Sequence, residues 1–172
     1  IALITGSAGG IGKAIAKKFA AEGACIILND INEERLKSAE DEFAGQFGKD
    51  AVMSTVLNVT DENSAFFALE NAALAFGGID IIINNAGISI SKAILEHSLE
   101  EWDRLYDILV KGQFIVSKAA VAILRKQGLG GDIINIVSKN AVVAGPNNPG
   151  YGSAKAAQAH MTRLMAAEVG AD

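Results

Sequence analysis

The sequence predicts an α/β fold, a doubly wound parallel sheet sandwiched between helices as three α/β/α layers. Three observations predict it. Short apolar runs alternate along the chain with segments of helical period. The runs are rich in Ile and Val without polar alternation, as in strands covered on both faces. The densest turn chemistry, at 5–12, 84–92 and 138–151, leaves the ends of such runs, where these sheets bind ligands.

Taken in order, the first strand is Ile1–Thr5, ended by "TGSAGGIG", which opens a helix near 10–22. Strands at Ala24–Asn29, Ala51–Leu57 and Ile79–Ile83 alternate with helices near 32–47 and 61–76. A long helical pattern over 99–127 is predicted to be broken, and Asp132–Val137 is the fifth strand. The last helix is predicted over 150–169, after the turn-rich "GPNNPG".

The 172 residues, 50% of them hydrophobic, are enough for one domain with a sizeable core, here 1–172. With 15 basic against 20 acidic residues, a net charge of −5 and no basic block, nucleic-acid binding is not expected. No apolar run reaches the roughly 18 residues of a membrane span, and Lys13, Lys17, Lys18 and Glu22 interrupt the first apolar stretch. The single cysteine, Cys25 in "ACIIL", reads as a buried thiol in a reducing, cytoplasmic compartment. No metal is expected. The chain starts inside a strand pattern and stops just after a helix, which reads as an excised part of a longer chain.

The glycines of "TGSAGGIG" allow a tight turn and let backbone N–H groups at a helix N-terminus approach a pyrophosphate. The spacing is not strict G-x-G-x-x-G, since Ile15 stands at the third glycine position. It is not a nucleotide-triphosphate loop either, because Ser7 replaces the first glycine and Ala14 follows Lys13. Asp30 lies 18 residues after Gly12, near the ~20 expected for a carboxylate that accepts from an adenosine ribose. A carboxylate there repels a 2′-phosphate, and no Arg or Lys occupies 6–12, so NAD is favoured over NADP. Alternatively the glycines merely close a turn and Asp30 caps the next helix.

With "TGSAGGIG", "NNAG" (84–87), Ser138 and "YGSAK" (151–155) in this order, the chain resembles the short-chain dehydrogenase/reductase family over essentially its whole length. The resemblance implies a Rossmann-like domain holding cofactor and active site together, hydride transfer between a nicotinamide and an alcohol or carbonyl, and assembly into homodimers or homotetramers. By that resemblance Ser138, Tyr151 and Lys155 are catalytic. Gly6, Ser7, Gly10, Ile11, Gly12, Asp30, Asn58, Val59, Asn85, Ala86 and Gly87, with Tyr151 and Lys155, bind the cofactor, while Asn84 fastens the sheet. Tyr151 and Lys155, four apart, share a helix face. A tyrosine base working near pH 7 needs its pKa lowered by about 3 units, roughly 4 kcal/mol, and an ammonium at about 4 Å supplies a term of that size. Lys155 is also implied to bond the nicotinamide ribose, and Ser138 to hold the substrate oxygen.

The chain departs from the family pattern in three places. Leu109 stands where members carry an asparagine that holds a relay water. Asn58 stands where an aspartate contacts adenine. The strands and the loop that closes over the nicotinamide, which follow the last helix in members, lie beyond this sequence.

The segment 137–160 further resembles the dehydrogenase half of bifunctional rhamnulose-1-phosphate aldolase/alcohol dehydrogenases, which implies an aldolase domain preceding this one in the parent chain. It also resembles polyol-phosphate dehydrogenases. The implied substrate is a small hydroxyaldehyde, sugar or polyol, with Lys139, Asn140, Asn147 and Asn148 as hydroxyl or phosphate donors, unless those residues are a solvated loop. A serine-hydrolase reading fails because Ser138 is in no G-x-S-x-G elbow and His97 and His160, read as structural or exposed, have no suggestive partner. Trp102 and Phe114 are read as packing residues, and the helices over 99–127 and 150–169 resemble the family's dimer-forming pair. A non-catalytic nucleotide-binding regulatory or scaffold module is the alternative, motivated by Leu109.

Overall fold

The computed structural model describes residues 1–171. Five strands, β1 (Ala2–Thr5), β2 (Ile26–Asp30), β3 (Val52–Val56), β4 (Ile81–Asn84) and β5 (Asp132–Asn135), form one parallel sheet in the order β3-β2-β1-β4-β5. The helices are α1 (Gly10–Ala21), α2 (Glu33–Phe47), α3 (Glu62–Phe76), α4 (Leu99–Tyr106), α5 (Gly112–Gln127) and α6 (Pro149–Val169). The predicted doubly wound, Rossmann-like sandwich is the observed fold.

Alternation along the strands makes the layers. Leu3, Ile27 and Ile82 face α3 and α5, where Ala65, Leu69, Val116 and Ala120 meet them. Their neighbours Ile4, Leu28 and Ile83 face α1 and α2, packing on Ala16, Leu36 and Phe43. Both faces of every central strand are therefore apolar, which is why the sequence shows no polar alternation. Side chains cap α2, α3 and α4: Asn32 accepts from Arg35 N–H, Asp61 from Asn63 and Ser64, and Ser98 with Glu101 forms a capping box. The first helix has no side-chain cap at its N-terminus.

Element boundaries shift for physical reasons. The predicted fourth strand loses Ile79, whose N–H and C=O bond the side-chain amide of Gln127 at 2.9 Å each instead of a strand. The second strand starts at Ile26, because Ala24 N–H still bonds back to Phe19 at the end of α1. Ala51 belongs to a 3₁₀ turn that delays the third strand. The fifth strand stops at Asn135: its one partner, β4, ends at Asn84, whose carbonyl accepts the last bond from Ile136 N–H. The predicted break within 99–127 is a single widened turn, Asp107–Lys111, closed by Gly112 N–H on Asp107 C=O. Cys25 is half-buried rather than buried, since it precedes the paired part of β2. Among the described residues no helix is long and apolar enough to cross a membrane.

One buried hydroxyl joins the central strands at their C-terminal ends. Thr5 Oγ1 accepts the N–H groups of both Asn85 and Ala86 at 3.0 Å, and lies 3.4 Å from the Ile83 carbonyl to which it donates. Every hydrogen-bonding position of this hydroxyl is used. Thr5→Val keeps the shape and orphans two donors, so it is expected to lower unfolding stability by about 2–4 kcal/mol, while Thr5→Ser costs under about 1.5. Urea midpoints of the two variants measure this; equal midpoints would show that the hydroxyl carries no such weight.

Candidate active site

Between β1 and β4 the winding reverses, and the loops that leave the two strands diverge around a cavity of about 710 Å³. The glycine loop forms one wall, with Gly6, Gly9, Gly10 and Ile11. Gly6 and Gly10 have φ of +63° and +54°, and a Cβ on Gly6 would lie 2.9 Å from the Ala86 Cα. The side-chain amide of Asn85 locks the loop from across the gap, donating to Thr5 C=O at 2.9 Å and Gly6 C=O at 3.1 Å. A Cβ on Gly12 would come within 2.5 Å of that same amide, so Gly12 is small for packing and lies behind the cavity. Ser7 is also behind it, fully buried, with its hydroxyl accepting Asn29 N–H at 2.9 Å.

Of the other expected cofactor residues, Asp30, Asn58, Val59, Asn85, Ala86 and Gly87 line the cavity, whereas Tyr151 and Lys155 do not. Asp30 caps the glycine loop through Ala8 N–H (3.2 Å) and its own turn through Asn32 N–H (3.1 Å). The Asn58 side-chain oxygen Oδ1 accepts from the N–H and hydroxyl of Thr60 (3.1 and 2.9 Å). The fit to a dinucleotide rests on the start of α1: no side chain caps it, no acid sits in its first turn, and its glycine loop opens on the cavity.

Tyr151 and Lys155 stand in the first two turns of α6, with the lysine Nζ 5.8 Å from the tyrosine ring centre. Lys155 is 5% exposed and donates to the Ile136 carbonyl at 2.9 Å, just past β5. Burial pushes its ammonium down from 10.5 to about 8. Tyr151, like Ile88 and Ile90, packs against the buried cluster of Leu105, Leu109 and Ala154. Ile88 and Ile108 line the dinucleotide cavity, so the tyrosine cluster adjoins it. Ser138, one residue before a 3₁₀ turn, accepts Asn140 N–H at 3.2 Å and keeps its own proton to donate. Leu109 is fully buried, and a Cβ on Gly87 would lie 2.9 Å from its Cδ2.

A second cavity, about 530 Å³, lies beside the first turns of α6. Asn140, Asn147 and Asn148 line it with Ile94, Val142 and Val143; Lys139 points elsewhere and is exposed. His97 is 5% exposed with neither ring nitrogen hydrogen-bonded, wedged so that a Cβ on Gly150 would lie 2.9 Å from its Nε2; His160 is exposed. Trp102 stacks on Tyr106 at 5.0 Å, as a packing residue does, whereas Phe114 is half-exposed on α5. Sequence reasoning missed Arg35 and Arg104, which both line the dinucleotide cavity. The only available signal for Arg35 was its position five residues after Asp30; for Arg104 there was none.

The family model for short chain dehydrogenase matches residues 1–172. An uncharacterized oxidoreductase, YuxG of Bacillus subtilis (strain 168), is 43% identical over 170 residues, which are 99% of this chain and 25% of that protein. The 3-oxoacyl-[acyl-carrier-protein] reductase FabG of Thermotoga maritima is 37% identical over 169 residues, 98% of this chain and 68% of that protein. A short chain dehydrogenase/reductase from Burkholderia phymatum, solved in complex with NAD, superimposes with a TM-score of 0.92 at 24% identity, covering 98% of this chain and 59% of that one. This chain thus spans a quarter of its Bacillus relative and well under two thirds of the Burkholderia structure. With the parallel sheet, the glycine-loop cavity and the Tyr-Lys pair in place, the chain belongs to the short-chain dehydrogenase family.

Proposed function

We propose that the chain is the cofactor-binding and proton-transfer part of an NAD-dependent oxidoreductase that interconverts an alcohol and a carbonyl. The observation that carries this is the buried Lys155 ammonium, set one helical turn from Tyr151, whose apolar cluster shares Ile88 with the dinucleotide cavity. A bound nicotinamide dinucleotide gives or takes the hydride. Tyr151 moves the proton, donating it to the carbonyl oxygen in reduction and taking it from the alcohol in oxidation. Ser138 donates its hydroxyl proton to the substrate oxygen and holds it for Tyr151. The Asp30 carboxylate, at the adenosine end, favours NAD.

The polar lining of the second cavity supports a small hydroxyaldehyde, sugar or polyol as substrate, held by Asn140, Asn147 and Asn148. No Lys or Arg lines that cavity among the described residues, which weighs against a phosphate there. The Bacillus relative, matched over a quarter of its length, leaves room for the second catalytic domain of a bifunctional aldolase/dehydrogenase. Exposed Phe114 and Leu164, on α5 and α6, support self-association through that helix pair. Buried Leu109, in the place of a water-holding asparagine, favours the second reading, a nucleotide-binding module without turnover.

NADH binding by fluorescence, followed by oxidation on adding lactaldehyde to the full-length protein, tests the reading. Tyr151→Phe is expected to keep NADH affinity within threefold and to lose at least a hundredfold in kcat. Binding without oxidation by any hydroxyaldehyde would transfer the weight to the module reading.

Lys155 makes a separate prediction through its folded pKa of about 8, lowered from 10.5 by burial. Its stabilising contribution is present above 10.5, where the amine is neutral in both states, and is lost as pH falls through about 8. Lys155→Met carries no charge to bury. Its melting temperature is expected to exceed wild type most at pH 6–7, with the gap shrinking as pH rises past 8. A gap independent of pH would show that the lysine is not buried as a charged group.

A further inference from the structure

Two glutamines are buried where α5 and α6 approach the C-terminal ends of β1 and β4. Gln113, the second residue of α5, is 3% exposed, and Gln158, one turn beyond Lys155 on α6, is 2% exposed. The side-chain oxygen of each is buried and meets no hydrogen-bond donor among the described residues. A buried oxygen left in that state is costly, and folded proteins satisfy nearly all such groups from the chain or from ordered water.

Both glutamines line a cavity of about 10 Å³ together with Thr5 and Asn84. Val59, Ala86 and Ile108 line it as well as the dinucleotide cavity, which places it just under that floor, while Tyr151 and Lys155 do not line it. Its size is that of one water molecule, which needs roughly 10–15 Å³ and about two to four polar partners. The other polar side chains of the lining have no proton to spare for the two oxygens. The Thr5 hydroxyl donates to the Ile83 carbonyl, and the Asn84 amide uses both N–H groups on Ser117 and Asn135, at 2.9 and 2.8 Å. Thr162, whose Oγ1 lies 3.4 Å from the Gln113 Nε2, gives its own proton to the Gln158 carbonyl at 2.8 Å.

We propose that Gln113 and Gln158 hold one buried water molecule, which donates one O–H to each side-chain oxygen and so bridges α5 to α6 beneath the dinucleotide cavity. The chemistry selects water. Two neutral amide oxygens offer no charge to an anion and are too few for a hard cation, and among the described residues no cluster of three or more His, Cys, Asp or Glu is placed to hold a metal. The bridge is a polar tie in a helix layer whose other buried contacts are made mostly by Ile115, Val116, Ala119 and Ala120. It fixes the helix of Tyr151 and Lys155 from a point one turn beyond the lysine. It stands on the cavity and its two oxygens, whatever ligand the larger cavity takes.

A high-resolution crystal structure of the full-length protein tests this. An isolated density peak is expected about 2.7–3.0 Å from the Oε1 atoms of both glutamines. Methionine matches glutamine in length and offers no such oxygen, so in the double variant Gln113→Met, Gln158→Met the peak is expected to vanish, as apolar cavities stay dry. Melting temperatures of the two single variants and the double give an independent reading. Either single change breaks the bridge, so the double variant is expected to lose less than the sum of the two single losses. A wild-type structure with no density there, or with both oxygens bonded directly to protein groups, would overturn the proposal. So would a peak that persists in the double variant, which would show that other groups hold it, or melting losses that simply add. Should the double variant fail to fold, Gln158→Met alone is expected to lose or displace the peak, and an unmoved peak counts against the bridge.

Discussion

The threonine that ends β1 is the constraint on which the site depends. Its hydroxyl takes the N–H groups of Asn85 and Ala86, and its carbonyl takes the Asn85 side-chain amide. These bonds bring the glycine loop and the "NNAG" turn to within van der Waals contact, closing the floor of the cavity. Gly6 and Gly12 are demanded by that closeness: a side chain on either would meet Asn85 or Ala86. The two motifs are one structure, held by buried hydrogen bonds that are expensive to leave unmade.

A second polar chain carries the order outward to the helix with the tyrosine. Asn84 donates to Ser117 on α5 at 2.9 Å and to Asn135 on β5 at 2.8 Å, Asn135 donates to Thr162 on α6 at 3.0 Å, and Thr162 closes on the Gln158 carbonyl at 2.8 Å. The edge strand β5 and helix α6 are thereby fixed to the sheet about two helical turns beyond Lys155. Rigid placement matters because a buried ammonium has little water to compensate for a misplaced partner, and among the described residues its hydrogen-bond acceptor is the Ile136 carbonyl.

The layers were legible because burial of both strand faces leaves a direct signature, runs of Ile and Val between helical periods. The glycine loop, Asp30 and the i, i+4 pair of Tyr151 and Lys155 were legible because each is a local spacing. Ser7 and Gly12 belong to the right motif, yet the fold uses them behind the cavity wall, and no spacing separates a residue that touches a ligand from one that holds the loop. Arg35 was illegible for the opposite reason. Its place on the glycine loop comes from the packing of α2 beside α1, outside the motif itself. Gln127 likewise displaces Ile79 from the sheet across 48 residues, a capture that no local pattern announces.

Leu109 turns the same logic on the active site. In the widened turn between α4 and α5 this leucine packs into the cluster of Leu105, Ala154 and Tyr151 and against Gly87. Hydrocarbon in that position dries the surroundings of the Tyr-Lys pair, and the lowering of Lys155 to about 8 by burial is what a dry setting produces. A drier setting strengthens the interaction of any charges within it and leaves fewer waters around them.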